Sequence, residues 1–420
     1  MLKPKYNENK LPDTKSLIET FDRVTSLMRS KKVYAAYTPT LGGISEAVMK
    51  MCFGNGIGFE FDENISNDEI FGYNYGAFVL EVSNDVSDGI VLGYTTDKNE
   101  ISRGKEKVVL SEILKIYEDK LESVYTCNIA PEKGKFENFS YEYGERKSPS
   151  VKIARPRVLI PVFPGTNCEY DSAKMVENAG MDSEIIVINN LSPKSVSESV
   201  SYFANRLKDA QMVFIPGGFS GGDEPDGSGK FITAFFRNAE IKEEVNRLLK
   251  QRDGLMCGIC NGFQALIKLG LVPYGEIVDT NEFSPTLTFN TIGRHQSRLV
   301  RTRIASNKSP FLADTNVGDI YSVPISHGEG KFLASEEWIK KLAENGQIAT
   351  QYVDENGNAT GDVAYNPNGS VCAVEGITSP DGRVFGKMGH CERYQKNLYK
   401  NVDGNYNIGI FTAAAKYFKM

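Results

Sequence analysis

The sequence predicts an α/β protein in two parts. A doubly wound, mainly parallel sheet occupies residues 157–420, and a smaller α+β domain precedes it over 1–130. Three observations predict this. From Arg157 onward, short apolar runs end in glycine turns and alternate with amphipathic helical stretches, the pattern of parallel strands buried on both faces. Between Pro131 and Arg157 the chain reads PEKGKFENFSYEYGERKSPSVKIARPR, with no sustained apolar period, so 131–156 is read as a linker. At roughly 150 residues per domain, 420 residues allow two or three domains.

In the first part, Pro39-Thr-Leu-Gly-Gly-Ile-Ser45 is a glycine turn into a helix over Ile44–Phe53. There Ile44, Ala47, Val48 and Met51 recur at i, i+3, i+4, i+7. Ala77–Val82 and Ile90–Tyr94 read as strands. In the second part, Arg157–Phe163 is a strand ending in Pro164-Gly165-Thr166-Asn167, followed by a helix over Cys168–Ala179 and a strand over Glu184–Ile188. Met212–Ile215 is a strand that breaks at Pro216-Gly217-Gly218. Phe231–Lys250 reads as one long amphipathic helix, Leu255–Ile259 as a strand and Asn261–Leu269 as a helix. Beyond Ser284 the pattern becomes β-rich, over Leu299–Ile304, Ile348–Val353, Val371–Ile377 and Val384–Met388. A sheet of this kind carries its site at the carboxyl ends of the strands.

Composition narrows the function. Forty-eight basic and 54 acidic residues leave a net charge of −6, which argues against a dedicated nucleic-acid binder. No apolar run approaches the ~18 residues of a membrane helix, and Met1–Lys10 has no signal-peptide core. Seven scattered cysteines, an odd count, read as the thiols of a reducing, cytoplasmic compartment rather than a disulfide framework.

The chemistry concentrates in Cys257-Gly-Ile-Cys260-Asn-Gly262. Gly-x-Cys-x-Gly at a strand-to-helix junction is the cysteine form of a nucleophile elbow. The glycines admit close backbone approach, and the helix N-terminus favours a thiolate on Cys260. Cys257-x-x-Cys260 also fits a thioredoxin-like pair or half a zinc site, but no second pair or His-x-His partner accompanies it, and no metal is expected. Three histidines could serve as base. His390 precedes Glu392 by two residues, so in extended chain the carboxylate would face the same way and orient the ring. His327, with Glu329 two residues on, is the rival, in a glycine-rich loop suited to lining the site. His295, among Arg294, Arg298, Arg301 and Arg303, reads as a surface or interface residue. Pro216-Gly217-Gly218-Phe219 offers backbone N–H groups that, with that of Asn261, could form an oxyanion hole, though a plain Gly-Gly turn is the alternative. The Ser220–Gly229 stretch lacks Gly-Lys-Ser/Thr and is not a P-loop.

Taken as a set, five phrases carry a family likeness. They are Phe163-Pro-Gly-Thr-Asn-Cys168-Glu169, Pro216-Gly-Gly-Phe-Ser220, Gly258-Ile-Cys260-Asn-Gly-Phe-Gln264, Pro324-Ile-Ser-His327-Gly-Glu-Gly330 and Asn366-Pro-Asn-Gly-Ser370. With them, residues 157–420 resemble a class I (triad) glutamine amidotransferase domain, most closely the glutaminase portion of the phosphoribosylformylglycinamidine synthases of purine biosynthesis. Val33–Phe59 resembles the last synthetase subdomain of the single-chain form, with Tyr37-Thr-Pro-Thr-Leu41 where an Asp-rich motif is usual. The resemblance implies Cys260 as nucleophile, His390 as base and acid, and Glu392 as its orienter. It implies Gly218, beside Gly217, and Asn261 as oxyanion donors, and Gln264 as a holder of glutamine. Cys391 stands where proline is common.

It further implies that glutamine hydrolysis needs no cofactor, while ATP and Mg²⁺ act at a synthetase site on formylglycinamide ribonucleotide. Those synthetase subdomains would precede residue 1. This chain is expected to hydrolyse glutamine feebly and not to form the amidine alone. A cysteine hydrolase of the same fold, or a non-catalytic docking module, remains the alternative. Neither nucleic acid nor membrane is an expected partner.

Overall fold

The computed structural model describes residues 1–127, 129–131, 134, 136–144, 148–219 and 229–419. The chain divides into two compact units, Met1–Asn128 and Ile129–Met420. Among the described residues no helix is long and apolar enough to cross a membrane.

The first unit runs α1 (Thr14–Arg29), β1 (Val33–Tyr37), α2 (Gly43–Asn55), β2 (Gly58–Phe61), α3 (Asn67–Ile70), β3 (Val79–Val82), β4 (Gly93–Thr96), β5 (Glu100–Arg103), β6 (Glu106–Val109) and α4 (Leu110–Asp119). Strands β1 and β3 form an antiparallel pair, and β4-β2-β5-β6 form a second small sheet. Helix α2 follows its apolar period, with Ile44, Ala47 and Val48 buried and Met51 packed at the edge of the same core. The turn before it closes on its own helix: Glu46 accepts from the Thr40 hydroxyl at 2.5 Å and the Gly42 N–H at 2.9 Å, and pairs with Lys50 at 2.6 Å. A carboxylate thus occupies the N-terminus of α2, where the backbone donors favour an anion.

The second unit continues with β7 (Arg157–Val162), α5 (Glu169–Asn178), β8 (Asp182–Val187), α6 (Pro193–Leu207), β9 (Met212–Ile215), α7 (Lys230–Phe236), α8 (Ala239–Lys250), β10 (Leu255–Ile259), α9 (Asn261–Lys268) and α10 (Leu271–Tyr274). After these come β11 (Thr286–Phe289), β12 (Gln296–Ile304), β13 (Ile320–His327), β14 (Glu329–Leu333), α11 (Glu336–Glu344), β15 (Ile348–Val353), β16 (Val374–Thr378), β17 (Val384–Lys387) and α12 (Ile410–Lys419). Nine strands form one sheet in the order β13-β12-β15-β16-β17-β10-β9-β7-β8. The five from β17 to β8 are mutually parallel, and the remaining four join antiparallel. Strands β9 and β10 are buried at every residue, as strands covered on both faces must be.

The strand read over Ile90–Tyr94 lies later, at Gly93–Thr96, and two larger expectations also change. The helix over Phe231–Lys250 is two helices, because the Asn238 side chain accepts from the Glu240 N–H and starts α8 afresh. The stretch read as a linker is held to the sheet over part of its length. The Phe139 N–H donates to Gln351 Oε1 at 2.9 Å, Gln351 Nε2 to the Glu137 carbonyl at 3.0 Å, and the Tyr141 N–H to the Ala305 carbonyl at 2.8 Å. The Ser220–Ser228 part of the glycine-rich loop lies outside the described residues.

Candidate active site

Four loops leaving the carboxyl ends of the neighbouring parallel strands β7, β9, β10 and β17 converge on one point. The elbow after β10 is the most constrained. Cys260 has φ +53° and ψ −107°, a conformation that costs a non-glycine residue about 1–3 kcal/mol. The glycines beside it are required by contact. A Cβ on Gly262 would sit 2.0 Å from the Ile215 carbonyl oxygen, and one on Gly258 would sit 2.6 Å from the Gly262 backbone. The Cys260 N–H donates to the Lys387 carbonyl at 2.9 Å, and its own carbonyl accepts from the Gln264 N–H at 3.0 Å, which begins α9. The Sγ lies 3.8 Å from the Ser326 carbonyl oxygen.

His390 follows β17, its N–H donating to the Pro324 carbonyl at 2.8 Å. Ring Nδ1 is 2.6 Å from Glu392 Oε1, and Nε2, buried, has no hydrogen-bond partner among the described residues. The route from His390 to Glu392 is not extended chain: Cys391–Arg393 forms a 3₁₀ turn, and this turn carries the carboxylate back to the ring. Gly217 shows that base and nucleophile share a space, since a Cβ there would lie 2.6 Å from His390 Cε1 and 3.5 Å from Cys260 Cβ. Burial disfavours a charged imidazole, but the Glu392 carboxylate, then Cys260, outweigh it and raise the His390 pKa well above its ordinary value. Burial likewise pushes the Glu392 carboxyl up, but His390 outweighs it and leaves the pKa lowered.

The turn after β9 pairs with the one after β7. Asn167 N–H donates to the Gly217 carbonyl at 2.9 Å and Phe219 N–H to the Gly165 carbonyl at 2.7 Å. Between them Gly218, at φ +139°, keeps an N–H with no hydrogen-bond partner among the described residues. A Cβ there would lie 2.4 Å from the Gly165 oxygen. Asn261 opens α9 beside Cys260. Gln264 is spent internally, accepting from Asn261 Nδ2 at 2.9 Å and donating to the Glu329 carbonyl at 2.5 Å. These bonds tie the first turn of α9 to β14.

His327 lies buried in the same neighbourhood, with neither ring nitrogen hydrogen-bonded among the described residues. Burial first, then His390 and His295, hold its pKa down to about 3, so it stays neutral and is a weaker base than His390. His295 is exposed, yet its Nε2 lies 3.2 Å from the Ser326 hydroxyl and its ring lies against Phe219, next to the strand residue that faces Cys260. Sequence reasoning gave no role to Cys168. Its Sγ lies 3.9 Å from His390 Nδ1 and accepts from Arg393 Nη2 at 3.1 Å. The available signal was its position: it ends the β7 loop at the N-terminus of α5, on the face where the site forms. Cys168, His390 and Glu392 bring sulfur, nitrogen and oxygen within 4.8 Å, the one cluster of metal-ligand composition among the described residues. The Arg393 cation on Sγ and the Glu392 contact on Nδ1 already occupy its donor directions.

Residues 155–418 match the family described as the CobB/CobQ-like glutamine amidotransferase domain. The chain is 34% identical over 275 residues to the phosphoribosylformylglycinamidine synthase subunit PurQ of Dehalococcoides mccartyi, covering 63% of this chain and 98% of that subunit. It is 33% identical over 261 residues to the subunit of the same name from Methanococcus maripaludis, covering 61% and 88%. Among solved structures, PurLQS from Thermotoga maritima has a chain that is 25% identical, with a TM-score of 0.46, covering 63% of this chain and 99% of that one.

Proposed function

The chain belongs to the CobB/CobQ-like glutamine amidotransferase family, and from that premise we propose the following assignment of its chemistry. The protein is a glutaminase of purine biosynthesis, and its reaction runs through a cysteine thioester. In the proposed assignment the Cys260 thiolate attacks the side-chain amide carbon of glutamine. The N–H groups of Gly218 and Asn261 receive the oxyanion, and protonated His390 gives its proton to the departing ammonia. Water then adds to the thioester, His390 takes up a proton from it, and glutamate leaves as the Cys260 sulfur is released. Glu392 holds Nδ1 throughout, so that Nε2 faces the reacting atoms.

The observation that carries this reading is the pairing of a strained Cys260 with a buried imidazole whose Nδ1 is held by Glu392 while Nε2 has no partner among the described residues. The test is glutamate release. Cys260→Ala is expected to bring it to background, a loss on the order of 10⁴-fold or more, and equal rates in the two proteins would remove Cys260 from the mechanism.

The ammonia is proposed to pass to a synthetase partner, where ATP and Mg²⁺ activate the amide oxygen of formylglycinamide ribonucleotide. Residues 1–130 are proposed to be a synthetase-type subdomain in the same chain as the glutaminase. The closed Thr40–Glu46 turn supports a structural role for this unit, because the Glu46 carboxylate takes up the donors at the N-terminus of α2.

A further inference from the structure

Lys387 and Glu375 form an ion pair sealed from solvent, their side chains 1% and 0% exposed and Nζ 3.1 Å from Oε1. A pair this deep persists only where its other donors and acceptors are also satisfied. Here they are satisfied largely at one residue. Lys387 Nζ donates to the Gly389 carbonyl at 2.9 Å, and the Gly389 N–H donates to Glu375 Oε1 at 2.6 Å. The Thr350 hydroxyl donates to the remaining carboxylate oxygen. Both polar groups of the residue before His390 are therefore fixed by one pair of charges. The backbone of Lys387 holds the opposite side of the site, since its carbonyl accepts the Cys260 N–H. Position 389 has to be glycine for the ammonium to come this close: a Cβ there would lie 2.9 Å from Lys387 Nζ and 2.7 Å from Val323 Cγ1.

We propose that the Lys387–Glu375 pair is a positioning device for the glutaminase reaction, fixing the Gly389 peptide and with it the reach from the His390 ring to Cys260. The proposal rests on the assignment of Cys260 and His390 made above. Burial works against the Lys387 charge, but Glu375 outweighs it and raises the pKa, so the ammonium stays charged at neutral pH. Fully enclosed, neither side chain can touch glutamine. Their removal therefore acts on the geometry of the reacting groups and leaves binding alone.

The test uses the full chain with Lys387→Met and Glu375→Gln together, which removes both charges and keeps both volumes. Glutamate release, irreversible labelling by a diazoketone analogue of glutamine, and the melting transition are measured beside wild type and Cys260→Ser. The expected result is a cooperative transition like that of wild type, KM within about twofold, and kcat and labelling rate both lower by about 10- to 100-fold. Wild-type kcat in the folded double variant overturns the proposal. So does a loss of activity that only tracks the unfolded fraction, or one that falls on KM. Cys260→Ser reads the underlying assignment separately. Wild-type glutamate release there removes the site itself, whereas its loss, with an unaffected double variant, removes only the brace.

Discussion

Cys260 and His390 border the same small space but are held there by different means. At the elbow, the conformation is set mainly by near neighbours in the chain: Gly258 leaves room for the Gly262 backbone, and the first turn of α9 closes from Gln264 onto the Cys260 carbonyl. At the base, the near neighbours supply Glu392 and little else. The Pro324 carbonyl, Glu375 (through the Gly389 N–H) and Cys168, which Arg393 holds, arrive from other strands and loops. The nucleophile's geometry is thus a property of a short peptide docked on a strand, and the base's geometry is a property of the assembled sheet. Substitutions far from the reaction should therefore disturb His390 before they disturb Cys260.

The strongest way to break this contrast is at Glu392, the local part of the base's support. Glu392→Gln keeps the shape but removes the charge that holds the imidazolium, and kcat/KM is expected to fall by about 10³- to 10⁴-fold. The pH profile gives the sign. With Glu392 present, the His390 pKa is raised, so the alkaline limb of the rate lies above the ordinary imidazole value of 6.5. In Glu392→Gln that limb should move to lower pH, while the other groups that act on the ring (Cys260, Cys168, Arg393 and His327) are unchanged. Stability follows the same linkage. The raised His390 pKa contributes fully below 6.5 and is lost as pH rises through its folded value. The lowered Glu392 pKa contributes above 4.5 and is lost as pH falls through its folded value. Between those two values both contributions are present. A variant whose rate profile keeps its alkaline limb in place would show that the carboxylate does not support the charged ring.

The elbow offers the matching test from the other wall. Gly262→Ala places a methyl 2.0 Å from the Ile215 oxygen, a backbone atom that cannot turn aside. The expected cost is about 2–3 kcal/mol of stability, read as a lower melting temperature, together with a loss of labelling at Cys260. A folded, fully labelled variant would mean that the elbow relaxes and that its strain is not needed.

The same contrast explains what could be read in the sequence. Met212–Ile215 and Leu255–Ile259 were legible to the residue, because doubly covered strands are written as unbroken apolar runs ended by glycine. Gly-x-Cys-x-Gly was legible because the residues that answer its steric demand lie within five positions, even though Gly262 answers to the Ile215 carbonyl on β9. The break at Asn238 was not, since an apolar period runs on through a cap that is decided by one side-chain hydrogen bond. The His390–Glu392 contact was anticipated through the wrong backbone, an extended chain in place of a 3₁₀ turn, because spacing alone does not fix φ and ψ. Lys387 read as the end of a strand, and only the antiparallel partner β16 gives its charge a meaning. Cys168 stayed unread because its partners lie more than 200 residues away.

Cys168 also supplies the smallest predicted effect and the finest test of the comparison. Two thiols lie near one imidazole, and in the proposed assignment they serve different nitrogens. Cys168 lies 3.9 Å from Nδ1, the outer limit of a contact to sulfur, and Glu392 already holds that nitrogen at 2.6 Å. Its backbone, although at φ +94°, precedes α5 without the paired glycines that strain the Cys260 elbow. Cys168→Ser leaves a hydroxyl for Arg393 to bond, so kcat should change by no more than about fivefold, under ~1 kcal/mol. The melting temperature should shift little. The measurement is glutamate release and diazoketone labelling of Cys168→Ser beside Cys260→Ala. A loss in Cys168→Ser as deep as that in Cys260→Ala would move the nucleophile to the far side of the ring. Glu392 would then compete with the substrate-bearing sulfur for one nitrogen, and the local elbow would be a structural turn with no part in the chemistry.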